Sequence, residues 1–148
     1  MKFNSQICSS IEQSRRLLEL GLKKETADMY WLRMVKDYKG DDIPTIRDKW
    51  WLSFVGFTVG AGFEQYECIP AWSLHRLIEM MPNEIHKYDS WATLSVNKDY
   101  VQYEYYDIDY NHGICLEHFN DGGIYDNICD AIEWLIKEGY FPKEYLED

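Results

Sequence analysis

No stretch of this 148-residue sequence approaches the run of apolar residues needed to cross a bilayer, and its opening, Met1-Lys2-Phe3-Asn4-Ser5-Gln6, lacks the apolar centre of a secretory leader. Membrane spanning and secretion are therefore not expected, and the cytoplasm is the default compartment. Cysteine is sparse and scattered: Cys8, Cys68, Cys115 and Cys129 form no CxxC pair, which fits buried thiols in a reducing compartment better than a disulfide framework. Cations are scarce at one end. Residues 99–148 hold 13 Asp or Glu against only Lys137 and Lys143, whereas residues 1–98 hold 13 of each sign, so the whole formal charge of −11 falls in the last third. A nucleic acid held through its phosphates needs clustered cations, so this field argues against that ligand and suits a basic protein partner or plain solubility. Phosphate-binding loops, GxGxxG, GxSxG and HExxH are all absent, which removes the usual marks of the commonest enzyme classes.

What is present is aromatic. Phe, Trp and Tyr make up 16% of the chain, a payload that suits sheet and core packing and excludes a disordered chain. The length matches one domain, so residues 1–148 are expected to share one core.

Hydrophobic spacing then gives an α+β order of helix, strands, helix, β-meander and C-terminal helix: an antiparallel sheet of four to five strands packed with three helices. Ser9 and Glu12 stand at capping-box spacing before Ile11, Leu17, Leu18 and Leu20, with Gly21 as the stop, which predicts a helix over 10–20. Residues 26–35 read as a strand and 36–49 as a surface loop. Residues 50–59 read as an apolar strand ending at Gly60-Ala61-Gly62. Pro70 is expected to open a second helix with Leu74, Leu77, Ile78 and Met81 on one face, closed by Pro82. Residues 92–96 and 100–107 flank Asn97-Lys98-Asp99 as a hairpin, with Leu94, Val96, Val101, Tyr103 and Tyr105 inward, and 113–119 adds a third strand. The last helix is expected over 125–138, with Ile128, Ala131, Ile132 and Leu135 on its apolar face and Gly139 as its end.

Four segments carry a resemblance: Ile7-Cys8-Ser9-Ser10-Ile11-Glu12-Gln13-Ser14 with Leu20-Gly21-Leu22, then Thr26-Ala27-Asp28-Met29, Pro70-Ala71-Trp72-Ser73-Leu74, and the helix start from Asp126 to Ile132. Through them the chain resembles a group of uncharacterised small proteins of gut Bacteroidales bacteria and their phages and mobile elements. The segment 35–49 is longer than that group usually carries. The resemblance implies an intracellular accessory protein and brings no activity, substrate or cofactor with it.

Several constellations touch on chemistry. Asp107-Ile108-Asp109-Tyr110-Asn111 begins like a calcium loop, but the sixth and twelfth positions hold His112 and His118 where Gly and Glu are wanted. His112, Cys115 and His118, with Asp109 as a fourth ligand, have the residue types of a zinc site. Alternation along a strand would put His112 and His118 on one face and Cys115 on the other unless a bulge at Gly113 intervened. No metal and no cofactor are therefore expected. Cys115 or Cys129 with a histidine lacks any local nucleophile motif, and the carboxylate pairs Glu64 with Glu67 and Asp126 with Asp130 have ordinary structural readings. His75 and His86 have no recognisable partner. Trp31, Trp50, Trp51, Trp72 and Trp91 could line a sugar or peptide groove, with sheet packing the plainer use.

These observations lead to a non-enzymatic accessory protein that binds a basic partner through an acidic C-terminal surface. Asp130, Glu133 and Glu138, on the polar side of the last helix, are the expected contact residues and should face outward without being neutralised by the cations of residues 1–98. The rival classes are a small enzyme with an unrecognised site and an acidic mimic of DNA.

Overall fold

The computed structural model describes residues 5–37, 39–42, 49–54, 65–107 and 112–148, with the backbone alone described at Asp107. The chain is α+β, with three α-helices and two antiparallel sheets of three and four strands among the described residues. The strands expected in one sheet are thus divided between two. The division has a local cause: the later strands are joined by short hairpins and pair only with one another, while 29–34 pairs with a strand more than thirty residues away. Two compact units result, Met1–Arg76 and Leu77–Asp148, the division falling inside the second helix.

In the first unit, α1 (Ile11–Glu19) starts at Ser10, whose hydroxyl accepts from the Gln13 N–H at 3.2 Å while the Gln13 side chain accepts from the Ser10 N–H at 2.9 Å. This capping box lies one residue later than the Ser9 and Glu12 pair predicted. The reason is tertiary: the buried Ser9 hydroxyl bonds Ser14 Oγ at 2.8 Å and accepts from the Trp72 N–H at 3.0 Å, so it is not available to cap. At the other end Gly21 adopts φ +92°, and the N–H groups of Gly21 and Leu22 bond the carbonyls of Leu18 and Leu17, with Leu17 and Leu22 both buried. That double bond pattern closes the helix as its Gly-Leu ending predicts.

A 3-10 turn (Lys24–Thr26) precedes β1 (Met29–Met34), which therefore begins three residues later than its β-forming composition suggests. β1 pairs on one side with β2 (Trp51–Ser53) and on the other with β3 (Tyr66–Ala71). Trp50 and Phe54 flank β2 without joining it, and residues 55–59 of the expected strand with its Gly60-Ala61-Gly62 ending lie outside the described residues. So do residues 38 and 43–48 of the expected loop 36–49; in the rest of it Lys36 bridges Asp42, and the Asp37 carboxylate accepts from the N–H groups of Lys39 and Asp41.

Pro70 lies in β3 opposite Tyr30 and does not open a helix. β3 is the edge of its sheet, where a residue without an N–H removes no ladder bond the sheet needs. The helix, α2 (Leu74–Met80), starts after Ser73, whose hydroxyl accepts from the Arg76 N–H at 3.2 Å. Leu77 is fully buried and Met81 buried, as the apolar spacing predicts; Leu74 and Ile78 are half-buried, and Met80, outside that predicted face, is fully buried.

The second unit is a meander, β4 (Glu84–Lys87), β5 (Ser90–Val96), β6 (Val101–Asp107) and β7 (His112–Phe119), in that spatial order, followed by α3 (Ile124–Lys137). α3 packs against β6 and β7. Its Ile128, Ala131, Ile132 and Leu135 are fully buried, as are Val101 and Tyr103 on the facing side of the sheet, with Leu94 opposite Tyr103 and Val96 opposite Val101. Each such aliphatic side chain contributes about 1.5–3 kcal/mol before chain entropy is charged. Trp134 meets Tyr103 and Phe119 at centroid distances of 6.0 and 6.1 Å, and the Tyr103 hydroxyl donates to the Pro82 carbonyl at 2.7 Å. Burial pushes the Tyr103 phenol well above its ordinary pKa.

Asn127 is the polar exception in this core. Its amide donates to the carbonyls of Asp99 and Gly122 and accepts from the Gly122 N–H at 3.0 Å, tying the β5–β6 turn to the loop before α3. Glycine is required at 122, since a Cβ there would lie 2.7 Å from the Asp126 Cβ. β4 is a strand the sequence did not announce: Tyr88 and Asp89, both at positive φ (51° and 59°), turn the chain between Lys87 and Ser90 without the usual Asn-Gly pair. Among the described residues no helix is long and apolar enough to cross a membrane.

Candidate functional site

α3 covers one side of the four-stranded sheet, and strand alternation fixes which residues stand on the other. Because Ile85, Ala92, Val101 and Tyr103 point to the core, Glu84 and His86 of β4, Trp91, Thr93 and Ser95 of β5, and Gln102, Glu104 and Tyr106 of β6 share the open face. Trp91 is 62% exposed and Tyr106 61%, values far above those of ordinary packed aromatics.

The register orders this face into rows. Glu84, Thr93 and Glu104 are successive partners across β4, β5 and β6, and Cys115 of β7 continues the row. Ser95, Gln102 and His118 form the row beside it. On the other flank Trp91 pairs with His86, their rings 5.1 Å apart. Gln102 Nε2 donates to Glu104 Oε2 at 2.9 Å, and its Oε1 lies 2.8 Å from His118 Nδ1, so with the amide turned this way Nδ1 carries the hydrogen. The Tyr100 ring stacks on His118 at 5.3 Å. These contacts hold the Glu104 carboxylate in place. The strand positions of this face contain no Lys or Arg, and among the described residues no cation pairs with Glu84 or Glu104.

The sequence candidates fall elsewhere or apart. Tyr103 pairs with Glu117 and Glu104 with Cys115, so Leu116 is an extra residue without a partner. This bulge brings Cys115 to the same face as His118 and leaves His112, paired with Asp107, on the opposite one, reversing the expected pairing of the two histidines. Among the described residues no three His, Cys, Asp or Glu side chains come together as metal ligands. Asp109, the side chain of Asp107 and the rest of the calcium-like segment 108–111 lie outside the described residues, as does Glu64. Glu67 is ion-paired with Arg33.

The acidic residues of α3 are largely engaged. Glu133 pairs with Lys137 at 2.5 Å and Glu138 with Lys87 at 2.9 Å, while Asp130 is half-buried and has interactions of its own. The expected absence of neutralisation by cations of residues 1–98 therefore does not describe Glu138, which Lys87 pairs; Glu133 is paired from within the last third, by Lys137. The hydrogen bond that Lys87 donates to Glu138 holds this lysine above the ordinary lysine pKa.

All four cysteines are free thiols. Burial, with Asp28 adding to it, pushes the Cys8 thiol up to about 11, and Cys129 is fully buried, so neither is a ready nucleophile. The exposed Cys115 thiol is raised by partial burial and then by the Glu104 and Glu117 carboxylates. The tryptophans have separate contacts: in the first unit Trp72 is fully buried, the Trp31 indole donates to the Ser9 carbonyl at 2.8 Å, Trp51 meets Tyr66 edge-on and Trp50 lies under Arg33, while in the second unit Trp91 meets His86.

Three of the motif segments converge in the first unit. The Trp72 indole donates to Thr26 Oγ1 at 2.9 Å, Ser9 joins Trp72 and Ser14, and the Asp28 carboxylate accepts from the Ser73 N–H and hydroxyl at 2.8 and 2.5 Å. Every buried side-chain polar atom among the described residues has a partner. A fully satisfied network of this kind fixes a local structure and offers no idle group for chemistry.

Comparison of the chain with protein-family models, curated proteins and solved structures finds no match in any of the three.

Proposed function

We propose that the protein is a non-enzymatic accessory protein that binds a positively charged partner protein, and that the open face of the second sheet receives this partner. The observation that carries the reading is the composition of that face: two exposed aromatic rings and two carboxylates with no lysine or arginine among its strand positions. Exposed Trp and Tyr supply contact area at low entropy cost, and the carboxylates select for positive charge. The charge of residues 99–148 would steer such a partner from a distance. The resemblance to small accessory proteins supports the same role, and four free thiols support a reducing compartment such as the cytoplasm.

The test is affinity capture from the native lysate at low and high salt, with the Trp91→Ala, Tyr106→Ala double variant beside the wild type. A basic protein retained by the wild type, released by salt and lost on the double variant is the expected result. Retention undiminished by the double variant places the contact elsewhere on the chain.

A further inference from the structure

We infer that the open face takes an arginine side chain of an extended partner segment, its guanidinium lying over Thr93 between Glu84 and Glu104 with one flat side against Trp91. This rests on the reading of that face as the partner-binding surface. Glu84 and Glu104 both pair with Thr93, so the two carboxylates stand on its two sides, two strand spacings or about 10 Å apart at the backbone. Thr93 is the small, exposed residue in the gap. A planar group lowered onto it has a carboxylate at each end.

Trp91 stands on the same strand and the same face, about 7 Å along from Thr93, with 62% of its surface exposed and the His86 ring beside it at 5.1 Å. Its indole therefore borders the gap. Guanidinium is the group that matches both surroundings at once: its N–H donors form paired bonds to carboxylates, and its weakly hydrated face stacks on an indole. An ammonium satisfies the charge but neither the fork nor the stack. The Gln102 bond to Glu104 Oε2 holds that carboxylate toward β7, 3.4 Å from where a Gly113 Cβ would lie, and a rotation of the Glu104 side chain brings it over Thr93 to meet the ligand.

The experiment uses the full chain and short labelled peptides of alternating serine with arginine, lysine or citrulline, followed by fluorescence anisotropy and by quenching of tryptophan emission. The arginine peptide is expected to bind saturably and several-fold more tightly than the lysine peptide. Citrulline has nearly the same shape without the charge and is expected to lose binding. Glu84→Gln with Glu104→Gln should weaken the arginine peptide about ten-fold, and Trp91→Ala should weaken it several-fold. A second variant, Asp130→Asn with Glu133→Gln and Glu138→Gln, removes more charge away from the face and should change affinity less. Circular dichroism confirms that each variant is folded. Equal binding of the citrulline peptide, or equal loss on the distant charge variant, overturns the proposal. If the arginine peptide fails while the lysate partner is still lost on Trp91→Ala, Tyr106→Ala, the guanidinium assignment falls and the face stands; if the partner is retained by that variant, the face itself falls.

Discussion

Residues 1–76 carry eleven Lys or Arg against ten Asp or Glu, whereas residues 77–148 carry four against sixteen. The two units also place their polar groups differently. In the first, hydroxyls and indoles turn inward, and Ser9, Ser14, Thr26 and Trp72 close a buried hydrogen-bonded network around the start of α1. In the second, the core is apolar apart from Asn127, and the polar and aromatic surplus stands on the side of the sheet away from α3. A group whose bonds are all made inside the protein serves the fold, while aromatics and carboxylates left facing water are available to a partner. The contrast gives the first unit's motifs a structural role and leaves the second unit's face as the surface on which the proposed partner would be received.

Substitutions can break or sharpen this contrast. The largest expected effect is in the apolar core: Leu135→Ala in α3 should destabilise the second unit by about 2–5 kcal/mol in a urea titration, because the fully buried side chain leaves a cavity. A loss below about 0.5 kcal/mol would show that this helix face is not packed as described. Next comes the inward polar network. Trp72→Phe removes the donor to Thr26 Oγ1 and should cost about 1–3 kcal/mol, while Trp91→Phe on the open face should stay within about 0.5 kcal/mol. Equal costs at the two tryptophans would erase the distinction between the units.

A third prediction is smaller and opposite in sign. Replacing Tyr88-Asp89 with Asn-Gly should stabilise the protein by about 1 kcal/mol, since both positions hold positive φ, which Asn and Gly adopt with less strain. A loss of stability would mean that the exposed Tyr88 ring contributes more than its backbone costs.

The thiols give the fourth. Cys8 has a folded pKa raised to about 11, above its unfolded value, so the unfolded chain releases this proton first. Its contribution is complete below the ordinary thiol range and is lost as pH rises from there through about 11; Cys8→Ala should flatten that part of the stability profile. In native protein an alkylating reagent should reach exposed Cys115 before buried Cys8 and Cys129, and Glu104→Gln should speed the Cys115 reaction about two-fold by removing a charge that opposes the thiolate. Unchanged labelling kinetics would separate Cys115 from the carboxylate row.

Much of this fold was legible from spacing. α3, the β5–β6 hairpin and the end of α1 at Gly21 follow from strong periodicity and from stop residues with one good structural use. The misreadings occur where a signal has two uses. Pro70 fits the first turn of a helix and equally an edge strand, and the strand pairing that decides between them is tertiary. Ser9 and Ser10 stand in tandem, and spacing alone does not separate them; the hydrogen bond from the distant Trp72 N–H does. β4 went unannounced because Glu84 to Lys87 holds a single buried apolar residue, Ile85, and its turn lacks glycine. The open face had a readable signal in part: with Leu94 and Val96 inward, alternation sends Thr93 and Ser95 outward, and extending the strand back to Trp91 sends its indole outward too. What brought Glu84 into the same row was the strand that composition did not reveal.

The unpartnered Leu116 in β7 works as a phase shift in the side-chain code of the strand. Deleting that one residue would close the bulge into strict alternation, with Cys115 still opposite Glu104 and His118 still opposite Gln102, so both arms of β7 would keep their faces. Loss of that codon would leave Cys115 beside Glu104 and His118 beside Gln102, whereas loss of a paired residue such as Glu117 would be absorbed by moving Leu116 into its place in the ladder. For evolution this makes the bulge a spare position, where the edge strand can lose a residue while the face it presents and the three strands beside it keep their register.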